Sequence, residues 1–305
     1  MIDVSLLGTG GMIPLPGRFL SSLLLRVDGS LVLVDCGEGT QVSMRMLGWG
    51  FKNIDVICFT HYHGDHISGL PGLLLTMANS DRIEPIKLIG PTGLRSIVGS
   101  LLVIANDLPF GLEFFEWERN GTHEYADGMF SIKALPVKHR TPCFAYSFEL
   151  KRRGKFDPIR AKELNIPLKL WGLLQKQTDK THVYNDIEYT SDMVLGPARK
   201  GLKIVYCTDT RPVAALDEFA SLADLFICEG LYGSFENQQK TAAHMHMSFM
   251  EAAEIAKKAQ VKEMWLTHFS PAMPDPKNYL KNATDVFPDS KIGKDRMTKT
   301  LKFEE

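Results

Sequence analysis

The chain has 305 residues, 44% of them apolar, and a formal net charge of −1, so it can bury a large core in one domain or two, and any polyanion site has to be local. There is no basic segment followed by an apolar one at Met1 and no uncharged apolar run of about 18 residues, which predicts neither secretion nor membrane spanning and leaves the cytoplasm as the expected compartment. Cys36, Cys58, Cys143, Cys207 and Cys228 are scattered without CxxC spacing, mostly inside apolar runs, as reduced core thiols are and disulfides or thiolate metal sites are not.

Taken in chain order, VSLLG (4–8), SSLLLRV (21–27) and SLVLVDCG (30–37) read as buried strands. The glycines of LGTGG, Gly8, Gly10 and Gly11, lack the third spaced glycine and the helix start of a dinucleotide loop, and so predict a tight turn. A helical stretch follows GEGT. The next strand, IDVICF (54–59), runs directly into THYHGDHISG, where three histidines and an aspartate fall in six consecutive positions. Divalent zinc needs neutral imidazoles and carboxylates converging from rigid elements. His61 and His63, two apart on an extended segment, project to one side, and Gly64 turns the chain so that Asp65 and His66 point elsewhere. One exit loop can therefore feed two metals.

A helix is predicted after Gly69, then strands at EPIKLIG, FSIKALPV and FAYSFEL. From Lys151 to about Met193 the periodicity weakens. Between Lys151 and His182 this segment holds nine cations against Asp157, Glu163 and Asp179, with Phe156 and Trp171 interleaved, the composition of a phosphate-gripping appendage. Regular structure resumes with LKIVYCTD (202–209), DLFICEG (224–230), a helical MSFMEAAEIAKKAQ (247–260) and KEMWLTH (262–268). Two strand-rich halves with interspersed helices predict an α/β architecture of stacked sheets flanked by helices. His139, Asp209 and His268 each end an apolar strand pattern. They are the candidates to complete two metal sites, with Asp209 between the halves as the bridging carboxylate.

HYHGDH with His139, Asp209 and His268 resembles the metallo-β-lactamase fold. Within it, LLGTGGMIPLPGR (6–18), LVDCGEGTQ (33–41), THYHGDHISGLPGLLLTM (60–77), IGPTGL (89–94), GPARKGLKIVYCTDTRP (196–212) and LTHFSP (266–271) resemble the ribonuclease Z family, endonucleases that trim the 3′ trailer from precursor tRNA. The resemblance implies a four-layer αβ/βα sandwich of two mixed sheets. It makes residues 1–305 a single hydrolase domain with an inserted flexible substrate-binding arm at about 151–182. It also implies two zinc ions per subunit, with manganese or another divalent metal as the alternative. One would be held by His61, His63 and His139, the other by Asp65, His66 and His268, with Asp209 bridging. Two metals about 3.5–4 Å apart lower the pKa of water and polarise a phosphodiester oxygen. Asp65 takes the family's general-base role.

The leaving 3′ oxygen needs a proton from outside the metal shell. In AAHMHMSF (242–249), His246-Met247-Ser248 matches the family's His-Ser-Thr motif in part, which favours His246 as the acid and keeps His244 as the alternative. Glu229 in ICEG matches the glutamate of the family's His-Glu-Ala-Thr motif, which orients the histidine, although Cys228 precedes it and Gly230-Leu231 follow. FDPIRAKELNIPLKLWGLLQK resembles the family's arm, which clamps tRNA and often acts across a homodimer, without its usual Gly-Pro motif. The expected partners are precursor tRNA and a second copy of the chain, with no DNA and no membrane. Asp35 would brace the histidine loop, and GPARKG and Ser270 are either phosphate contacts or turn chemistry. The rival readings are a phosphodiesterase or esterase of the same fold acting on a small molecule, an RNA-binding protein with a decayed site, and a di-iron redox protein of this fold. The second must explain all seven ligand-type residues, and the third resembles HxExD where this chain reads HYHGD.

Overall fold

The computed structural model of the chain describes residues 1–105, 107–176, 180–234 and 238–304. Asp179, counted above among the carboxylates of the basic segment, lies outside the described residues with its neighbours 177 and 178. The leucine- and isoleucine-rich runs form β1 (Ile2–Gly8), β2 (Ser22–Val27), β3 (Ser30–Val34), β4 (Ile54–Cys58) and β5 (Ile86–Pro91). After β6 (Leu112–Trp117) come β7 (His123–Asp127), β8 (Phe130–Val137) and β9 (Cys143–Arg152), and then a short hairpin of β10 (His182–Tyr184) and β11 (Ile187–Tyr189). β12 (Arg199–Cys207), β13 (Leu225–Glu229), β14 (Met264–Thr267), β15 (Ser290–Ile292) and β16 (Thr298–Leu301) complete the strands.

These strands build two seven-stranded mixed sheets, in the orders β16-β1-β2-β3-β4-β5-β6 and β15-β14-β13-β12-β9-β8-β7. In each, one side is antiparallel and the other parallel: β3 to β6 run parallel, as do β12 to β15. Because strand side chains alternate, the burial pattern assigns the layers. Leu7, Leu24, Leu31, Leu33, Ile57 and Leu88 pack with the helices Thr40–Leu47, Leu70–Ala78 and Leu94–Leu101. Their strand neighbours Leu6, Leu23, Leu25, Val32 and Val34 are equally buried and form the opposite face. In the second sheet Cys143, Val205, Cys207, Phe226 and Leu266 meet the helices Ala214–Phe219 and Phe249–Lys258, while Phe144, Tyr146, Tyr206 and Trp265 are buried on the other side. The Tyr146 hydroxyl donates to the Phe59 carbonyl of the first sheet at 2.8 Å. The order of layers is therefore helix, sheet, sheet, helix, as expected.

Residues Met1–Leu150 and Leu202–Lys302 form this unit, and Lys151–Gly201 with the last residues of the chain form a second compact unit. The weakly periodic segment is more regular than its pattern suggests. Asp157 accepts the Ile159 and Arg160 N–H groups, and Pro158 follows it at the first helical position, so the helix Pro158–Glu163 is capped. With the helix Leu168–Lys176 and the β10–β11 hairpin it buries Ala161, Ile166, Leu170, Leu174, Tyr189 and Val194. Helices this short give little periodicity to read. Among the described residues no helix is long and apolar enough to cross a membrane.

Candidate metal centre

The site forms where the carboxyl ends of strands from both sheets meet, the usual crevice of open α/β sheets. The first sheet contributes Asp35 just after β3 and the loop after β4. The second contributes His139 after β8, Asp209 after β12, Glu229 at the end of β13 and His268 after β14. Asp35, Asp209 and His268 have left-handed backbones, with φ of 57°, 52° and 56°. A non-glycine residue there costs about 1–3 kcal/mol, strain that clusters at functional sites. Gly11 has no such φ, but a Cβ there would stand 2.6 Å from the His268 ring. The sequence-predicted turn is thus also the wall against which His268 packs.

All seven ligand-type residues converge. The ligand atoms of His61, His63, His139 and Asp209 lie within 4.8 Å of one another, as do those of Asp65, His66 and His268. His61 Nε2 is 2.9 Å from His63 Nδ1, which is 3.3 Å from His139 Nε2, and His66 Nε2 is 3.2 Å from His268 Nε2. Asp209 Oδ2 faces the first trio, 3.6 Å from His61 Nε2 and 3.9 Å from His139 Nε2. Its Oδ1 faces the second, 3.1 Å from His268 Nε2 and 3.3 Å from His66 Nε2.

Partners outside the cluster orient the rings. Asp35, fully buried, takes the Thr60 N–H at 2.8 Å and the His66 Nδ1–H at 2.8 Å, which turns the Nε2 of His66 inward. Burial pushes the Asp35 carboxyl up, while Asp209 and Asp35 outweigh burial and hold His66 up as well. His139 Nδ1 donates to the Met245 carbonyl at 3.2 Å. Asp65 Oδ2 accepts the Met12 N–H at 2.7 Å.

Burial keeps His61, His63 and His139 below the usual histidine range. Although burial raises them, Asp209 is held well below the carboxylate range by His268, His66 and His61, and Asp65 by His268 and His66. Asp209 Oδ1 and His268 Nδ1 are buried without a hydrogen bond. Three imidazoles kept from charging, at His61, His63 and His139, two carboxylates held ionised, at Asp65 and Asp209, and a buried carboxylate oxygen without a hydrogen bond form a donor set that fits divalent cations.

The two flanking histidines separate. His246 is buried, and its Nδ1 lies 3.0 Å from Glu229 Oε2, while Glu229 Oε1 accepts the Thr210 N–H at 2.5 Å. Burial lowers His246, but Glu229 outweighs it and raises the ring to about 9. His244 is exposed and pairs with the Tyr232 hydroxyl at 2.6 Å instead. Sequence reasoning missed the support behind His246. Ser248 caps the helix Phe249–Lys258 in a capping box with Glu251, and Glu251 holds Arg211, whose Nη1 donates to the His246 carbonyl. The Ser-x-x-Glu spacing was the available signal. Ser270 Oγ accepts the Ala272 N–H at 3.2 Å, which is turn chemistry.

Comparison with known proteins agrees with this arrangement. The family profile described as "Anti-Pycsar protein Apyc1" matches residues 2–103. Ribonuclease Z of Lachnoclostridium phytofermentans is 51% identical across 100% of this chain and 99% of its own length. The Lachnospira eligens ribonuclease Z is 52% identical over the same shares. Among solved structures, the short form of human tRNase Z superposes with a TM-score of 0.72 at 25% identity, covering 99% of this chain and 100% of its own. A metallo-β-lactamase fold protein of Bacillus subtilis gives 0.70 at 19% identity over 97% and 98%, a likeness of fold. With a metallo-β-lactamase fold and full-length relatives at half identity, the chain belongs to the ribonuclease Z family, and with it to the hydrolases that act on RNA phosphodiester bonds.

Proposed function

We propose that the chain is a metal-dependent endoribonuclease that removes the 3′ trailer of precursor tRNA, leaving a 3′-hydroxyl on the tRNA and a 5′-phosphate on the trailer. The observation that carries this reading is the Asp209 carboxylate, whose two oxygens each face a separate trio of ligand-type residues. His61, His63 and His139 would hold one zinc ion, Asp65, His66 and His268 the other, with Asp209 between them. When bound, two such ions supply Lewis-acid polarisation of a phosphoryl oxygen and a water of lowered pKa.

The chain's own residues divide the proton work. Asp65 Oδ2 is tied to the Met12 N–H, which leaves Oδ1 to take a proton from the attacking water. Glu229 holds Nδ1 of His246, so Nε2 is the atom that gives a proton to the departing 3′ oxygen. Substrate grip falls to the second unit, where Lys155, Arg160, Lys162 and Lys176 are exposed and a duplex backbone can meet them. The same reading includes a homodimer, supported by exposed Val42, Met46 and Leu75 on the helices Thr40–Leu47 and Leu70–Ala78. It also includes the cytoplasm, which five buried, unpaired cysteines suit.

The test is cleavage of a 3′-extended precursor tRNA by zinc-loaded protein beside bis-p-nitrophenyl phosphate, with product ends mapped. A single cut just after the discriminator nucleotide supports the reading. Turnover of the small ester alone moves the chain to a small-molecule phosphodiesterase. Elemental analysis should find two zincs per chain, and two irons would favour redox chemistry.

A further inference from the structure

Outside the histidine cluster the two-sheet unit carries a cleft of about 290 Å³. One wall is the chain after His268, beginning at Phe269 and including Lys277; another is Gly17–Arg18; the third runs from Gly293 to Arg296. Four cations line it, Arg18, Lys277, Lys294 and Arg296, against Asp275 and Asp295. Both carboxylates are already engaged: Asp275 accepts the Lys277 N–H at 3.0 Å, and Asp295 accepts the Thr9 hydroxyl at 2.8 Å and the Phe19 N–H at 2.7 Å. Arg18 is fixed as well, donating to the Met273 and Pro274 carbonyls at 3.0 and 2.9 Å, and the Arg296 guanidinium lies over the Phe19 ring at 5.8 Å. What remains is a pair of exposed lysines, Lys277 and Lys294, with no carboxylate in ion-pair range among the described residues. The walls are built and braced, and the uncompensated charge is positive.

The same loop joins this cleft to the metal centre. Met12 donates its N–H to Asp65, while Gly17 lines the cleft. The two lie five positions apart, a reach of at most about 18 Å. At its start Met12 and Ile13 are 60% and 55% exposed, an apolar surface for unstacked bases. A cleft of about 290 Å³ suits a single sugar-phosphate strand. On the tRNA side of the cut the RNA is a base-paired stem, whereas the trailer is single-stranded. We propose that the cleft binds phosphates of the 3′ trailer as it leaves the centre, with Lys277 and Lys294 as the contacts. The proposal rests on the precursor-tRNA reading above.

The test uses the zinc-loaded full chain with Lys277→Glu and Lys294→Glu combined, and two precursors that differ only in having a one-nucleotide or a long unstructured trailer. The expected result is a KM about tenfold higher for the long trailer and unchanged for the short one, with kcat unchanged. The slope of log KM on log salt should fall by about 1.4, two phosphates at about 0.7 each on a single strand. Unchanged turnover of bis-p-nitrophenyl phosphate reports that the variant is folded, and Lys277→Gln with Lys294→Gln should show the same trend at smaller size. An equal response of both precursors, or none, overturns the cleft and leaves the enzyme reading standing. Wild-type protein that turns over the small ester and cuts neither precursor overturns both.

Discussion

At the scale of single residues, the centre depends on side chains that fix ring tautomers without belonging to either ligand trio. Asp35 does this for His66 across 2.8 Å in a fully buried setting. Asp35→Asn keeps the shape and loses the acceptor, so zinc affinity should fall about 10–100-fold, as read by competition with a chromogenic chelator. Affinity at the wild-type level would mean that Thr60 and the loop hold the ring unaided. His246 permits a sharper separation. A ribose 3′ oxygen needs a proton to leave and p-nitrophenolate does not, so His246→Ala should lower kcat on precursor tRNA by about 10²–10⁴ while sparing bis-p-nitrophenyl phosphate. Equal loss on both would make His246 a structural neighbour. His244→Ala should leave both rates near wild type, since that ring faces Tyr232.

At the scale of elements, the site is a property of strand ends. Asp35, Asp209 and His268 leave their strands through left-handed corners, which turns a residue out of the sheet at once and aims it across the end of the sandwich. Such corners hold only if the surroundings overdetermine them. The Gly10–Phe269 bridge and the close approach of Gly11 to the His268 ring are part of that restraint. Gly11→Ala must push the ring, and should lower bound metal per chain and activity together, by about tenfold or more. Full metal content in that variant would show that the loop yields rather than the histidine.

At the scale of the molecule, the proposed function assigns catalysis and grip to different cores. The small core of Lys151–Gly201 is made of its own residues, so its exposed face can change without disturbing that core. Arg160→Glu with Lys162→Glu should raise KM for precursor tRNA, reduce its salt dependence by roughly 0.9 for each phosphate no longer neutralised, and leave the small ester unaffected. Loss of small-ester turnover would refute the division of labour.

By itself the sequence determined ten of the strands, those in which apolar runs are bounded by turns, and it marked the candidate ligand set, because HYHGDH and the polar residues ending three apolar strands are local signals. It also carried the family, through motifs spread from residue 6 to residue 271. Only the tertiary structure distinguishes His244 from His246, two residues apart and equal as letters; burial against Glu229 is a pairing across the chain that no spacing encodes. The same holds for the Arg211–Glu251 support and for the Met12 N–H on Asp65, which are made by backbone or by partners far apart in sequence. The edge strand Leu112–Trp117, with every residue at least partly exposed, and the short helices of the second unit were missed for a related reason. Periodicity records one-sided burial, and these elements bury too little, over too few residues, to leave it.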